Sequence, residues 1–383
     1  MGKFNGCILA AVTALFLAVG LGAAEAQKIK TLDIGEKAPD FNLPGVACPE
    51  PSRRDGRNYK LADFAQADIL VVVFTCNHCP TAQAYEERIK KLAADYKNKG
   101  VAVVAISPND PQAVRLDELG YTDVSDSLEE MKIRAKDKEF NFPYLYDGDT
   151  QKVSRAYGPV ATPHVFIFDK QRILRYVGRV DDSEKLDSVK SHDTRSAIEA
   201  LLAGRKVPVE KTKPFGCSIK WSSKRDSVKE AQQRWAKEGV SLEMIDADGI
   251  RKIIKNDSEK LRLVNVWATW CGACVIEFPE LVTIHRMYRG REFELITISA
   301  DSPQRKDAVL SFLKRQQASC RNYLFNSEDK YELVEAVGKE SFAGIPYTLL
   351  IKPGGEIIYG HLGIIDPLEL RKAIVQYLGR TYK

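Results

Sequence analysis

The feature that most constrains this chain is a pattern that occurs twice: a run of β-forming apolar residues, two cysteines separated by two residues, then a segment of helical periodicity. The first copy is Ile69 to Pro80, ILVVVFTCNHCP, with a helix expected over 81–98. The second is Val264 to Pro279, VNVWATWCGACVIEFP, after which Cys274, Phe278 and Leu281 fall three or four apart. A run apolar on both sides belongs in the centre of a sheet covered by helices on each face. A cysteine at a helix start lies near free backbone amides that favour its thiolate, and a second cysteine three residues on can close a small disulfide ring. The pattern therefore points to an α/β architecture and to thiol-disulfide exchange together.

Each copy continues alike. After the first come a strand over 101–107, a helical and charged stretch over 112–138, a short helix near 153–157, Thr162-Pro163 leading into an apolar strand, a closing strand over 173–180 and a helix over 194–203. The second leads to Ile345-Pro346-Tyr347-Thr348, another apolar strand and a Gly354-Gly355 turn. The order strand, Cys-x-x-Cys helix, strand, helix, X-Pro strand, strand, helix thus occurs twice, an internal duplication. A length of 383 residues also suits two cores better than one. The expected fold class is α/β: two tandem domains, each a central mixed sheet flanked by helices, joined by a charged helix over 222–239, with a strand over 241–248 opening the second.

Residues 1–26 read as an export signal, with Lys3 in a positive start, an apolar core over 8–21, and Ala24-Glu25-Ala26 as a cleavage site before Gln27. The apolar core is shorter than the ~20 residues that a membrane-spanning helix requires. A periplasmic or extracellular mature protein is expected. Removal of Cys7 with the signal leaves seven of eight cysteines. Zinc ribbons place their two Cys-x-x-Cys pairs about 15 to 20 positions apart. Here Cys76 and Cys271 are 195 apart, which favours redox chemistry over metal. The net charge is +5 with no Lys/Arg tract suited to nucleic acid.

Trp270-Cys271-Gly272-Ala273-Cys274, with Glu277-Phe278-Pro279 and Gly344 to Thr348, resembles the TlpA/ResA-like branch of the thioredoxin superfamily. The resemblance runs from about Val240 to the C terminus. The first half, from about Lys28 to Trp221, is similar to the AhpC/TSA redoxins, in a peroxiredoxin-like subgroup that carries CNHCP. The residues behind this are Ala38 to Phe41, Cys76 to Pro80, Ile106 to Asp110, Phe142 to Asp147, Thr162-Pro163, Gly178 to Asp182 and Gly216 to Trp221. Thioredoxin-like folds for 28–221 and 240–383 follow from the resemblance. So does cis geometry for Pro163 and Pro346, each against a cysteine pair, with the residue before it pairing with the substrate chain.

Cys271, at an exposed helix start, is the expected attacking thiolate. Cys274 then resolves the mixed disulfide. Glu277 falls on the same helical face as Cys274, where the ResA-like proteins keep a buried acid that trades protons with a thiol. Cys76 and Cys79 form the other expected catalytic pair. His78 is expected to hydrogen-bond or charge-stabilise the Cys76 thiolate and so make that pair the more oxidising, since Gly272-Ala273 offers no such group. No cofactor or metal is needed, because the cysteines carry the electrons. The expected partners are disulfide-containing client proteins, with a membrane-embedded thiol reductase as electron donor.

Two other functions are consistent with these residues. One is a thiol peroxidase at Cys76/Cys79, but the peroxidatic pattern Pro-x-x-x-Thr/Ser-x-x-Cys has Val72 and Cys76 where it needs Pro and Thr/Ser in the Cys79 frame, and Ile69 and Val73 in the Cys76 frame. The other is a binding module that holds a protein, or copper through cysteines and His78. Cys217 is either structural or within reach of Cys76, Cys48 is a possible partner for Cys217, and Cys320 reads as a buried inert thiol. No role is assigned to His164, His192, His285 or His361.

Overall fold

The computed structural model describes residues 2, 29–47, 57–338 and 344–382. The stretch expected to be an export signal, apart from residue 2, its Cys7 and the stretch that carries Cys48 lie outside the described residues.

The first sheet is built from β1 (Asn42–Ala47), β2 (Asn58–Lys60), β3 (Ile69–Phe74), β4 (Val101–Ser107), β5 (Tyr144–Tyr146), β7 (His164–Phe168) and β8 (Leu174–Gly178) in the order β2-β1-β5-β4-β3-β7-β8. The short strands β6 (Ala161–Thr162) and β9 (Cys217–Ser218) pair only with each other. Among the described residues this half has four α-helices: α1 (Pro80–Tyr96), α2 (Leu128–Asp137), α3 (Lys152–Tyr157) and α4 (Asp193–Leu202). Every residue of β3 is buried, as its run of apolar residues requires, and it separates two apolar layers.

The second sheet runs β10-β13-β12-β11-β14-β15, from β10 (Glu243–Ile245), β11 (Leu261–Trp267), β12 (Phe293–Ser299), β13 (Arg321–Phe325), β14 (Tyr347–Ile351) and β15 (Ile357–Leu362). Around it lie α6 (Ala247–Lys255), α7 (Gly272–Tyr288), α8 (Lys306–Arg315), α9 (Lys330–Val337) and α10 (Pro367–Leu378), with α5 (Arg225–Ala236) before it in the chain. The expected opening strand over 241–248 is three residues long, because Asp246 accepts from the Gly249 amide at 2.7 Å and starts α6 instead.

The two sheets share a central arrangement. β3 is parallel to β4 and antiparallel to β7; β11 is parallel to β12 and antiparallel to β14. The strand after each X-Pro bond therefore lies beside the strand that ends at the cysteines.

The stretch over 112–138 is not one helix. It forms short 3-10 turns at Pro111–Ala113 and Leu116–Leu119, a loop, and then α2. Its charges and its breaks are explained by what it touches. Val114 and Leu119 enter the apolar core of the second half, and Tyr288 donates to the Thr122 carbonyl at 2.7 Å. Arg380 pairs with both oxygens of Asp123 at 2.5 and 2.8 Å, and Arg371 reaches Glu130 at 3.1 Å. A Cβ on Gly120 would come within 2.9 Å of the Met287 carbonyl oxygen, so a side chain there would push the halves apart. α5, in the expected connector, is also packed. Its Arg225 reaches Asp110 at 2.5 Å, and the guanidinium groups of Arg286 and Arg289 lie over its Trp235.

Candidate active site

In the second half, β11 ends in a turn held by Asp301, which accepts from the Thr269 amide at 2.8 Å and the Thr269 hydroxyl at 2.5 Å. This turn delivers Cys271 to the N-cap of α7, where its sulfur accepts from the Cys274 amide at 3.2 Å. Cys271 and Cys274 are joined as a disulfide with their Cα atoms 5.3 Å apart. The Ile345-Pro346 bond is cis, and the Ile345 carbonyl oxygen lies 3.7 Å from the Cys271 sulfur. The expectation of an exposed Cys271 is corrected: it is only 8% accessible and Cys274 is fully covered. What projects into solvent is its neighbour Trp270, at 61%.

Glu277 is buried in the α7 face behind the disulfide. One carboxylate oxygen accepts from Asn265 at 2.9 Å and the other from the Ile365 amide at 3.0 Å. Burial raises its pKa against the pull of those two donors. Asn265 also donates to Thr348 at 3.0 Å, so the acid is fixed from β11, β14 and the start of the last helix together. Asn265 and Ile365 were not singled out by sequence, although an asparagine inside an otherwise apolar central strand is a readable signal.

In the first half the cysteines are placed differently. Phe74 pairs with His164, the residue after Pro163, and Val266 pairs with Tyr347, the residue after Pro346. Counting five residues on from Phe74 and from Val266 reaches Cys79 and Cys271. Each is the N-cap of its helix, and each accepts through sulfur from the amide three residues on, Ala82 for Cys79 at 3.4 Å. The second cysteine of CNHCP thus corresponds to the first of WCGAC, and Cys76 falls where the other half has Ala268. Reading the two pairs as equivalent in order is therefore corrected. Pro80, at the first helical position, is what moves the helix start, since proline is favoured there and lacks the amide that an earlier start would need.

The CNHC loop is tied down by Asp126. Its carboxylate accepts from the Asn77 amide (2.8 Å), the His78 amide (3.1 Å), His78 Nδ1 (2.5 Å) and Asn109 Nδ2 (2.7 Å). His78 is 1% accessible, and its Nε2 has no hydrogen-bond partner among the described residues. Burial pulls the imidazole pKa down, but the Asp126 carboxylate outweighs it and the net shift is upward. The expected His78 contact with the Cys76 thiolate is corrected: the ring pairs with Asp126, and its charge bears on Cys79. Ligand atoms of Cys76, His78 and Asp126 lie within 4.8 Å of one another. Asp126, however, already accepts four hydrogen bonds, and the group reads as an anchor for the loop.

Cys76 and Cys79 are free thiols, 2% and 0% accessible. Cys76 shares a hydrogen bond with the Thr162 hydroxyl at 3.2 Å, and Cys79 lies 3.4 Å from the Thr162 carbonyl oxygen, beside the cis Thr162-Pro163 bond. Burial opposes ionisation of Cys79, but Cys217, Cys76, the His78 charge and the Ala82 amide together bring its pKa well below the ordinary thiol value. Cys76 moves the other way, raised by burial, by Cys79 and by the Asp126 charge. Cys217 stands against this pair, its amide donating to the Cys79 sulfur at 3.3 Å. Cys320 lies far from both sites, buried, with its thiol pushed up to about 12. Burial likewise holds His164 down at about 3 and His285 at about 4. Among the described residues no helix is long and apolar enough to cross a membrane.

Comparison with known proteins divides the chain in the same way. The family model described as AhpC/TSA matches residues 34–177, and the one described as Redoxin matches residues 225–374. The chain is 29% identical over 131 residues to the thiol-disulfide oxidoreductase ResA of Bacillus thuringiensis, a match that spans 34% of this chain and 71% of that protein. A Mycobacterium tuberculosis relative with a peroxiredoxin-like name is 28% identical over 163 residues, 42% of this chain and 85% of its own. Among solved structures, an uncharacterized conserved protein from Geobacillus kaustophilus is 38% identical and has a TM-score of 0.43, with 50% of this chain and 93% of that one covered.

Proposed function

From the premise that the chain belongs to the thioredoxin superfamily, as an AhpC/TSA-type unit and a redoxin-type unit in tandem, we propose that it exchanges disulfides with exported client proteins, chiefly through Cys271 and Cys274. It is a thiol-disulfide oxidoreductase, as its ResA relatives are named. The units are taken as 28–221 and 240–383, with 222–239 as connector, following an export signal over 1–26.

The observation that carries this reading is the Cys271–Cys274 disulfide at the N-cap of α7. In the reduced protein the amides of the first helical turn stabilise a Cys271 thiolate. That thiolate attacks a client disulfide, expels one client thiolate and leaves the other half bonded to Cys271. Cys274, behind it, then attacks the Cys271 sulfur, reforms the ring and frees the reduced client. The buried Glu277 carboxyl, whose pKa is raised, is suited to take the Cys274 proton in that step and to return it in the reverse direction. Cys274→Ala is expected to leave clients trapped on Cys271, visible as mixed disulfides on non-reducing gels. Failure to trap any partner, with unchanged insulin reduction by Cys271→Ala, would overturn the reading.

A peroxidase reading has one observation in its favour, the lowered pKa of Cys79 at a helix start. Against it stand the full burial of Cys79 and the thiol of Cys76 in place of the Thr/Ser hydroxyl. Peroxide consumption that survives Cys271→Ala and is lost in Cys79→Ala would support it.

A further inference from the structure

Cys76 and Cys79 are sealed from solvent, so a client sulfur has no line of approach to either one. The one partly exposed thiol beside them is Cys217, brought from more than a hundred residues away by a short ladder in which Thr162 pairs with Cys217 and Ala161 with Ser218. That ladder is built for close approach. Gly216 has φ +132°, and a Cβ there would sit 2.0 Å from the Thr162 carbonyl oxygen. The edge beside the cis-proline, where in the second half no strand pairs among the described residues, is here filled by the chain's own Gly216-Cys217-Ser218. The Cys217 amide donates to the Cys79 sulfur, and the Cys217 side chain packs against the buried cluster of Cys76, Cys79 and Ala82. An extended strand that lays a cysteine against a helix-capping sulfur has the arrangement of an exchange partner held in place.

We propose that Cys217 is the third redox thiol of the first unit: the one that meets a client disulfide, and the one with which Cys79 forms this unit's disulfide. The proposal rests on the exchange function above and extends it to a residue outside both Cys-x-x-Cys pairs. Cys79 and Cys217 share one proton, which rests on Cys217; when it moves to Cys79, against the pKa shifts of the two thiols, the Cys217 sulfur attacks the client disulfide, forming a Cys217–client bond and expelling the other client half as a thiolate. That thiolate takes up the proton now on Cys79. Cys79 then attacks the Cys217 sulfur, which breaks the Cys217–client bond and releases the second client thiolate. One client disulfide is reduced to two thiols, and two protein thiols become Cys79–Cys217.

The test uses the reduced full-length protein, oxidised with glutathione disulfide, quenched in acid, alkylated and digested without reductant for peptide mass spectrometry. The expected product joins the Cys79 peptide to the Cys217 peptide, persists in Cys76→Ser and disappears in Cys79→Ser. Cys217→Ser is expected to slow oxidation of Cys79 by about tenfold or more, since a bimolecular attack then needs the buried sulfur to be uncovered. Recovery of a Cys76–Cys79 or Cys48–Cys217 link with no Cys79–Cys217 overturns the proposal. If Cys76, Cys79 and Cys217 all stay reduced while Cys271–Cys274 forms, the first unit is not an exchange site, and the proposal falls while the function of the second stands. If neither unit oxidises, the proposed function itself fails.

Discussion

The two halves set a cysteine at the same point of the same framework and surround it in opposite ways. In the second half the cap cysteine is joined to a partner one turn along its own helix, an exposed tryptophan precedes it in the chain, and among the described residues no strand pairs at the edge beside the cis-proline. In the first half the cap cysteine has a partner three residues before it and another far along the chain, and the same edge carries a strand of the protein itself. The comparison teaches that the position of a cysteine relative to the helix start, not its order within Cys-x-x-Cys, decides which sulfur accepts from the amide of the first helical turn. It also separates a cap sulfur whose residue keeps 8% of its surface from one whose residue keeps none.

The largest effect expected from that contrast is on activity. Cys271→Ala should cut dithiothreitol-dependent insulin reduction by at least about a hundredfold, as removal of a nucleophile does, whereas Cys320→Ala should leave it unchanged. Insulin reduction that persisted in Cys271→Ala would erase the distinction between the two sites.

Stability gives the next contrast. Asp126→Ala removes the acceptor of four buried donors, the Asn77 and His78 amides, His78 Nδ1 and Asn109 Nδ2, and should cost about 3 to 5 kcal/mol. Glu277→Ala strands only the Ile365 amide and one Asn265 donor, and should cost about 1 to 3 kcal/mol. Urea unfolding of the two full-length variants compares them. Equal losses would mean that the carboxylates play the same part.

A smaller effect is expected on redox potential. The His78 charge favours the Cys79 thiolate and therefore the reduced form, so the first site should be the more oxidising. Loss of that charge lowers the potential of the first site in His78→Ala, by roughly 30 mV for each 1.4 kcal/mol of thiolate stabilisation removed. Glutathione titrations read by peptide mass spectrometry follow each site within the full chain. Equal potentials at the two sites would remove the basis for electron flow from Cys271/Cys274 to the first unit.

The smallest is a pH effect in the second half alone. The folded-state pKa of Glu277 is raised by burial, so its contribution to stability is fully present below its unfolded value and is lost as pH rises through the folded value. Glu277→Gln removes this loss. The variant should gain on the parent as pH climbs above the ordinary carboxylate range, with no such gain below it. A stability difference that stayed flat across this range would indicate an unshifted carboxyl.

Much of this was legible in the sequence. The apolar run at Ile69 identifies a central strand because burial on both faces leaves no room for alternation, and the run of β-formers at Val264 marks its counterpart. Glu277 could be placed by helical spacing and its family resemblance, and the two cis-prolines by resemblance alone. The helix start in CNHCP carries a cue in Pro80, but the shift it causes becomes clear only when strand register is known. Asp126 and Cys217 could not be placed, because both reach the site through long-range contacts: one from a loop inside a stretch that reads as helix, the other from a two-residue strand without periodicity. The charges over 112–138 look like a solvated helical face, yet they pair across the contact between the halves.

The central claim is that Cys79, and not Cys76, stands at the thiolate position that Cys271 holds in the other half. It is tested most directly by the pH dependence of thiolate ultraviolet absorbance in fully reduced full-length protein carrying Cys271→Ser and Cys274→Ser. A transition below the ordinary thiol range is predicted, retained on adding Cys76→Ser and lost on adding Cys79→Ser. Loss with Cys76→Ser and retention with Cys79→Ser would contradict it.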